Sequence, residues 1–385
     1  MPQENTAIIG LQFGDEAKAA LAHHLSKDFN FIVRTGGGCN AGHSVFHNGK
    51  KFVHHLVPSG NYLKSNIKGY LGAGMVIHPE SLLTELLELE KIIPEISKRI
   101  YVDPDAFVVL QKHIDEDKSK NKDIGSTNKG IGPAYTEKIS RRGTKIRDLI
   151  RDNNEFILTL MHMGVRFQYV LENYEELKKS SIIYENSQSL LLDVNAGTYP
   201  YVTSGDCCLN SIINSGMQFA MPSRVFGVLK CYSTRVGSGP YPTEIFGEQA
   251  EELRRIGNEY GSTTGRARRI GFLDLPALKY AIIKSGVNSL MISKFDVLNG
   301  LKKVPVCIKY ENKNMIVSAA DFFDAKPIYT ELSGWNNAQN INEIRPFIDY
   351  IENFTNCTVE YISYGTGEND IVKLSGTKET DLLSW

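Results

Sequence analysis

Two short stretches hold the side chains whose types and spacing can do chemistry in this chain. The first is Gly14-Asp15-Glu16-Ala17-Lys18, which joins an apolar run to an alanine-rich one. Where a strand hands over to a helix, backbone N–H groups at the helix start hold anions, phosphates above all. The stretch is not a Walker A loop, which needs a glycine, four residues, then Gly-Lys and a Ser or Thr. A carboxylate at position 15 has three uses in such a place: capping the helix, ligating Mg²⁺ beside phosphates, or acting as a base. The second stretch is Gly36 to His43, with Asn40 and Gly42 inside it. Its glycines let the backbone come close to a ligand, and His43 can donate a proton to a departing phosphate oxygen. On residue types alone it is equally an ordinary surface turn.

Both loops need elements to hold them. Thr6 to Gln12 reads as a strand running into a helix over Gly14 to Leu25, and Phe29 to Arg34 as a second strand that empties into the glycine loop. Further along, the pattern predicts a buried strand over Tyr70 to Ile77 and a helix over Pro79 to Ile93, started by one proline and stopped by another, Pro94. A polar, helical stretch spans Ile146 to Lys179. Strands at Arg224 to Lys230, Ser289 to Phe295, Val304 to Tyr310 and Val359 to Tyr364 alternate with helices at Leu275 to Lys284 and Ile344 to Phe354. Such alternation predicts an α/β fold with a large, mostly parallel central sheet flanked by helices. With no repeat or Pro/Ser-rich linker, residues 1–385 read as one large domain. In that architecture ligands gather at the carboxyl ends of the strands, where both loops fall.

Of the 385 residues, 42% are hydrophobic and 23% charged, and a net charge of -1 gives no ground for non-specific attraction to nucleic acid or anionic membrane. The cysteines at 39, 207, 208, 231, 307 and 357 form no C-x-x-C pair and no zinc spacing, and read as reduced thiols. The start lacks the pattern of a signal peptide, and no segment approaches the ~20 apolar residues of a membrane span. A cytoplasmic protein is the expectation.

The two loops together, strand-Q-F-G-D-E-x-K and then G-G-x-N-A-G-H, resemble the hallmark loops of the adenylosuccinate synthetase family. The likeness continues in the family's order through Gly125 to Tyr135, Arg141 to Gly143, Gly197 to Ser204, Tyr232 to Pro240, Gly261 to Gly271 and Ser293 to Leu298. It implies the family's α/β fold and a GTP- and Mg²⁺-dependent ligase. In that reaction GTP phosphorylates the 6-oxygen of IMP, and the amino group of aspartate displaces the phosphate to form adenylosuccinate.

Carried over residue by residue, the resemblance makes Asp15 the base at purine N1 and a Mg²⁺ ligand, with the carbonyl of Gly42 as a second ligand. His43 assists departure of the GDP oxygen, and Lys18 and Gln188 complete the catalytic group. Removing the N1 proton puts charge on O6 and lets it attack the γ-phosphate. The purine monophosphate is expected at Asp15, Asn40, Thr127, Gln188, Thr203 and Arg266, with Arg141 supplied across a homodimer. The aspartate clamp is expected at Ser262, Thr263, Thr264, Arg266 and Arg268, whose guanidinium forks suit carboxylates. GTP is expected at Gly14, Glu16, Ala17, Lys18, Gly42, Arg268, Lys294, Asp296, Ser363 and Gly365. The carboxylate of Asp296 would accept from guanine N1–H and the 2-amino group, donors that adenine does not present together.

The chain departs from the family pattern near these ligands. The first loop normally reads G-D-E-G-K-G-K, and here Ala17, Ala19 and Ala20 replace two glycines and a lysine. Alanine fits such a turn without strain where φ is negative. Cys39 stands for a frequent histidine, Asn128-Lys129 for Gly-Arg, Glu185-Asn-Ser-Gln188-Ser189 for E-G-A-Q-G, Gly205 for asparagine and Ala267 for the middle arginine of the clamp. The helical insertion at 146–188 and the stretch between Asp296 and Ser363 are shorter than usual. Two further readings arise: a phage-type ligase acting on GMP or dGMP, against which the retained Asp15 speaks, and a catalytically weak nucleotide-binding paralogue.

Overall fold

A computed structural model describes residues 4–47, 49–120, 126–261, 265–311, 313 and 315–374. The main sheet is built from β1 (Thr6–Gly10), β2 (Phe31–Arg34), β3 (Lys68–Leu71), β4 (Ile100–Val102), β5 (Arg166–Phe167), β6 (Ile182–Ser189), β7 (Arg224–Lys230), β8 (Ser289–Ser293), β9 (Val359–Ser363) and β10 (Ile371–Lys373). Its spatial order is β10-β9-β8-β7-β1-β6-β2-β3-β4-β5. Every neighbouring pair is parallel except β9 with β10, the antiparallel edge. The expected α/β class and mostly parallel sheet are what the chain adopts.

Parallel strands buried on both faces read as continuous apolar runs, which is why β1, β7 and β8 stood out in the sequence. Alternation along β1 sends Ala7 and Ile9 into one core layer with Val225, Leu229 and Leu290. Ile8 enters the other layer with Ile32, Ile183, Phe226 and Met291. Helices cover both faces. On them, α1 (Lys18–Leu25) follows β1, α2 (Pro79–Glu90) carries Pro79 in its first turn, and α3 (Leu275–Ser285) is capped by Asp274, which accepts from Ala277 N, and closed by Gly286 at φ 68°. Among the described residues, no helix is long and apolar enough to cross a membrane.

Three expectations need correction. The helix expected from Gly14 starts at Lys18, because Gly14, Asp15 and Ala17 take positive φ and keep the preceding loop open. The strand expected over Tyr70 to Ile77 is β3 followed by a turn at Gly72–Met75 and a separate two-residue strand, Val76–Ile77. The stretch over Ile146 to Lys179 is helical only in pieces, Ile146–Arg151, Glu155–His162 and Tyr174–Leu177, with the edge strand β5 between them.

Because the strands run the same way, the loops after β1, β2, β6, β7, β8 and β9 open on one rim. A small antiparallel sheet sits beyond β7: Ser233–Arg235 pairs with Arg269–Gly271, which also pairs with Glu244–Ile245. That pairing ties the segment just after Arg268 to the end of β7.

Candidate active site

The loop after β1 is folded around a buried carboxylate. Glu16 is wholly buried; its Oε1 accepts from Gln12 N (3.1 Å) and Gly14 N (2.9 Å), and its Oε2 lies 2.7 Å from both Lys18 Nζ and Ser189 Oγ. Burial alone would raise this carboxyl, but Lys18 and then Ser189 overcome it and hold Glu16 below the usual carboxylate range. Lys18 is 4% exposed and also donates to Ser189 Oγ at 3.0 Å. The two residues expected at the nucleotide thus form an internal ion pair beneath the loop. Gly10 makes the arrangement possible: a Cβ there would lie 2.0 Å from Ser189 Oγ and 2.5 Å from Glu16 Oε2.

Above this pair the backbone runs through positive φ at Gly14 (95°), Asp15 (62°) and Ala17 (79°). Ala17 is the N-cap of α1, with no side-chain cap, so Asp15 does not serve as one. The expectation of unstrained alanines holds for Ala19, inside the helix, and fails for Ala17. Asp15 instead reaches the far side of the rim, where its Oδ2 lies 2.9 Å from Arg268 Nε. The contact is an ion pair and not an aligned hydrogen bond, since Arg268 Nε stands as a buried donor without a hydrogen-bond partner.

Behind Arg268 lies a set of buried charges that the sequence reading did not single out. Arg268 Nη1 donates to Glu259 Oε2 at 2.5 Å, and Lys230 Nζ donates to both Glu259 oxygens at 2.9 and 2.8 Å and to Thr234 Oγ1 at 2.8 Å. The Tyr232 hydroxyl also donates to Glu259. Burial would raise the Glu259 carboxyl, but Lys230 and Arg268 pull it down to about 2. A lysine closing the apolar run of β7 was the sequence cue for this cluster.

After β2, the glycine loop is pinned by two contacts. Tyr135 Oη accepts from Gly37 N at 2.9 Å and donates to Gly74 O at 3.0 Å. Gly37 sits at φ 75°, where a Cβ would come 2.6 Å from Ser187 Cβ and 3.2 Å from Gln188 Oε1, so Gln188 lies directly against this loop. Asn40 carries a buried Oδ1 with no hydrogen-bond partner.

His43 is 7% exposed, at the start of the hairpin strand His43–His47. Its Nδ1 meets Glu185 Oε1 at 2.5 Å and its Nε2 meets Ser187 O at 3.0 Å. Arg34, wholly buried, approaches Nδ1 at 3.4 Å and donates to Ser187 Oγ at 2.7 Å. Burial and Arg34 push the imidazole down while Glu185 pulls it up. Burial and the Arg34 guanidinium at Nδ1 outweigh Glu185, so the imidazole is held below its ordinary value even though a carboxylate and a carbonyl lie within reach of its two nitrogens. For Glu185, burial raises the carboxyl, but His43 and Arg34 win and hold it low. Both ring nitrogens of His43 are thus engaged inward, on Glu185 and on the carbonyl of Ser187.

The remaining expected residues fall into three groups. Lys294 (φ 70°) and Asp296 follow β8, and Ser363 and Gly365 lie at the end of β9, side by side because Ile292 pairs with Ile362. Lys294 Nζ donates to Gly257 O at 2.9 Å, and Asp296 keeps a buried Oδ1 with no partner, its carboxyl raised by burial. Arg266 is exposed and reaches the carbonyl of Ser126 at 3.4 Å, which brings its loop beside Thr127, while Thr203 is held by its N–H on Leu192 O at 2.8 Å. Arg141 (φ 65°) is exposed just past the helix Ile131–Ile139. Ser262, Thr263 and Thr264 lie outside the described residues. The neighbouring Cys207 and Cys208 are free thiols, and burial pushes Cys207 well up, away from a reactive thiolate.

Comparison with known proteins bears on the family and the fold. The family model of adenylosuccinate synthetase matches residues 7–179 and 154–372. The adenylosuccinate synthetase of Petrotoga mobilis is 43% identical over 93% of this chain and 94% of its own length, and that of Finegoldia magna 39% identical over 95% and 97%. Among solved structures, the fully ligated adenylosuccinate synthetase of Plasmodium falciparum is 28% identical, with a TM-score of 0.86 over 97% of this chain and all of that one. The cyanophage S-2L succinoaminodeoxyadenylate synthetase, bound to dGMP and dATP, is similar in fold, with a TM-score of 0.71 at 24% identity.

Proposed function

The chain belongs to the adenylosuccinate synthetase family, GTP-dependent ligases that join IMP to aspartate through a C–N bond, and we propose how its residues divide that work. Asp15 is the base that takes the N1 proton of IMP, which drives charge onto O6 and makes that oxygen the nucleophile toward the γ-phosphate of GTP. Arg268, with Arg266, receives the aspartate carboxylates. His43, oriented by Glu185 at Nδ1, turns its Nε2–H from Ser187 toward the departing phosphate oxygen. Lys18, neutralised by Glu16, serves mainly to shape the loop whose backbone meets the phosphates. Asn40, Thr127, Gln188 and Thr203 hold the purine monophosphate.

One observation carries the reading. Asp15, at the start of the chain, and Arg268, from the proposed carboxylate clamp, come together as an ion pair at 2.9 Å on the rim of the sheet. A base and a carboxylate receptor in contact is what this ligation requires, because the amino acid must attack where the base has just acted. Guanine recognition by Asp296 is supported by its orphaned Oδ1, a buried acceptor that a base edge with two donors would satisfy.

Mg²⁺ suits this site. Among the described residues no cluster of three or more His, Cys, Asp or Glu side chains could hold a metal on its own, whereas Mg²⁺ in phosphoryl-transfer sites commonly takes one or two protein oxygens and fills the rest with phosphate and water. Asp15, 30% exposed, and the carbonyl of Gly42 would hold it. When bound, the ion neutralises charge on the transferring phosphoryl group. A homodimer belongs to the same reading, supported by Arg141, which is exposed. Six free cysteines favour a reducing, cytoplasmic setting, and the balanced charge favours small-molecule substrates over nucleic acid.

The decisive test is Asp15→Asn, which keeps shape and removes basicity. Turnover of IMP, aspartate and GTP should fall by about 10²–10⁴-fold, the usual reach of a general base. Full activity in this variant would remove Asp15 from its role.

A further inference from the structure

Arg268 is held between two carboxylates of different standing. Glu259, wholly buried, meets Nη1 at 2.5 Å, while Asp15, 30% exposed, lies at Nε at 2.9 Å. Glu259 is already balanced, since Lys230, buried beside it, reaches both of its oxygens at 2.9 and 2.8 Å. With that lysine cancelling that glutamate, the charge of Arg268 is left for Asp15 on the open side. The Asp15 contact is held by charge and not by an aligned hydrogen bond, and it lies on the half-exposed side. A guanidinium fixed internally on one side, and met on the other by an exchangeable carboxylate, is built to accept a carboxylate from solution.

Resting on the roles given above to Asp15 and Arg268, we infer that Glu259 is a positioning residue. Neutralised by Lys230, it holds Arg268 so that the Nε side passes from Asp15 to the carboxylate of the amino-acid substrate. While it faces the Nε side of Arg268, Asp15 is itself tied up. Arrival of aspartate displaces Asp15 and releases it to act on the purine. No covalent bond changes; one ion pair is exchanged for another. The base is thereby coupled to the presence of the second substrate, which limits phosphorylation of IMP when no amino acid is there to receive it.

The test uses the full chain and steady-state turnover, each substrate varied with the other two saturating. The paired variant Glu259→Gln with Lys230→Met removes both buried charges at once, so neither is left alone in the interior. The KM for aspartate should rise about tenfold or more while those for IMP and GTP stay within about twofold, and Glu259→Asp in the parent background should keep most of the aspartate affinity. Unchanged KM values for all three substrates, with kcat lowered only in proportion to the folded fraction from a thermal melt, would make Glu259 structural and overturn the inference. Asp15→Asn separates the two levels. If it is fully active, the underlying assignment of the base falls. If it is inactive while the paired variant keeps its aspartate KM, the positioning role alone falls.

Discussion

Replacing Ala17 with glycine should stabilise this protein, and replacing Ala19 with glycine should weaken it, although the family places glycine at both positions. Ala17 sits at φ 79° and ψ 28°, in the left-handed region, where a Cβ crowds the following carbonyl and costs roughly 1–2 kcal/mol. Glycine removes that strain and adds back about 0.4–1 kcal/mol of unfolded-chain entropy, for a net gain of about 0.5–1 kcal/mol. Ala19 lies inside α1 and is 5% exposed. Glycine there loses about 1 kcal/mol of helix propensity and a buried methyl group besides, for a loss of about 1–2 kcal/mol. The unfolded-chain contribution is common to both variants, so their difference, about 2 kcal/mol, reports native backbone geometry. Urea unfolding without ligands measures it, with hydrogen exchange of the α1 amides as a local readout. A loss at position 17 equal to that at position 19 would refute the left-handed assignment.

Asp296→Asn replaces an acceptor oxygen with a donor facing the guanine edge; the KM for GTP should rise about tenfold or more, from the loss of a charged hydrogen bond worth about 1.5–3 kcal/mol, with the KM for aspartate unmoved, and unchanged GTP kinetics would dismiss the guanine reading. Acid sensitivity should trace in part to Glu259, whose folded-state carboxyl at about 2 lies below its ordinary 4.5. A depressed carboxyl contributes its stability above the unfolded value, and that contribution drains away as pH falls from about 4.5 toward 2. Urea midpoints between pH 5 and pH 3 should therefore fall less steeply in the Glu259→Gln, Lys230→Met variant than in the parent, and equal slopes would refute the assignment.

Much of the architecture was legible because burial on two faces writes strands as apolar runs, as in β1, β7, β8 and β9, and because proline and glycine punctuate α2 and α3. The strand β6, central in the sheet, was not. Its Glu185, Asn186, Ser187 and Ser189 are polar yet buried, since they face His43, Thr35, Arg34 and Lys18 rather than apolar neighbours. A strand that serves the site on its final residues loses the hydrophobic signature by which strands are found. The turn at Gly72–Met75 was hidden for a different reason: apolar residues flank it on both sides, and Gly72 and Gly74 were its only mark. The motif residues of the site could be named from type and spacing, but their partners could not. Lys230, Glu259 and Arg34 act through contacts distant in sequence that no local spacing encodes, and the sign of φ at Ala17 has no trace in residue type.

The missing side chain at Gly10 has a consequence for altering this protein. Any larger residue there would occupy the space where Ser189 and Glu16 meet, so the last turn of chain before the phosphate loop admits no variation from below. Freedom lies at half-buried positions on the helix such as 20, where this chain has already exchanged lysine for alanine. A mutant library that randomises the upper residues and leaves the foundation untouched would sample nucleotide affinity without sacrificing the fold, whereas one that includes position 10 would yield chiefly insoluble protein.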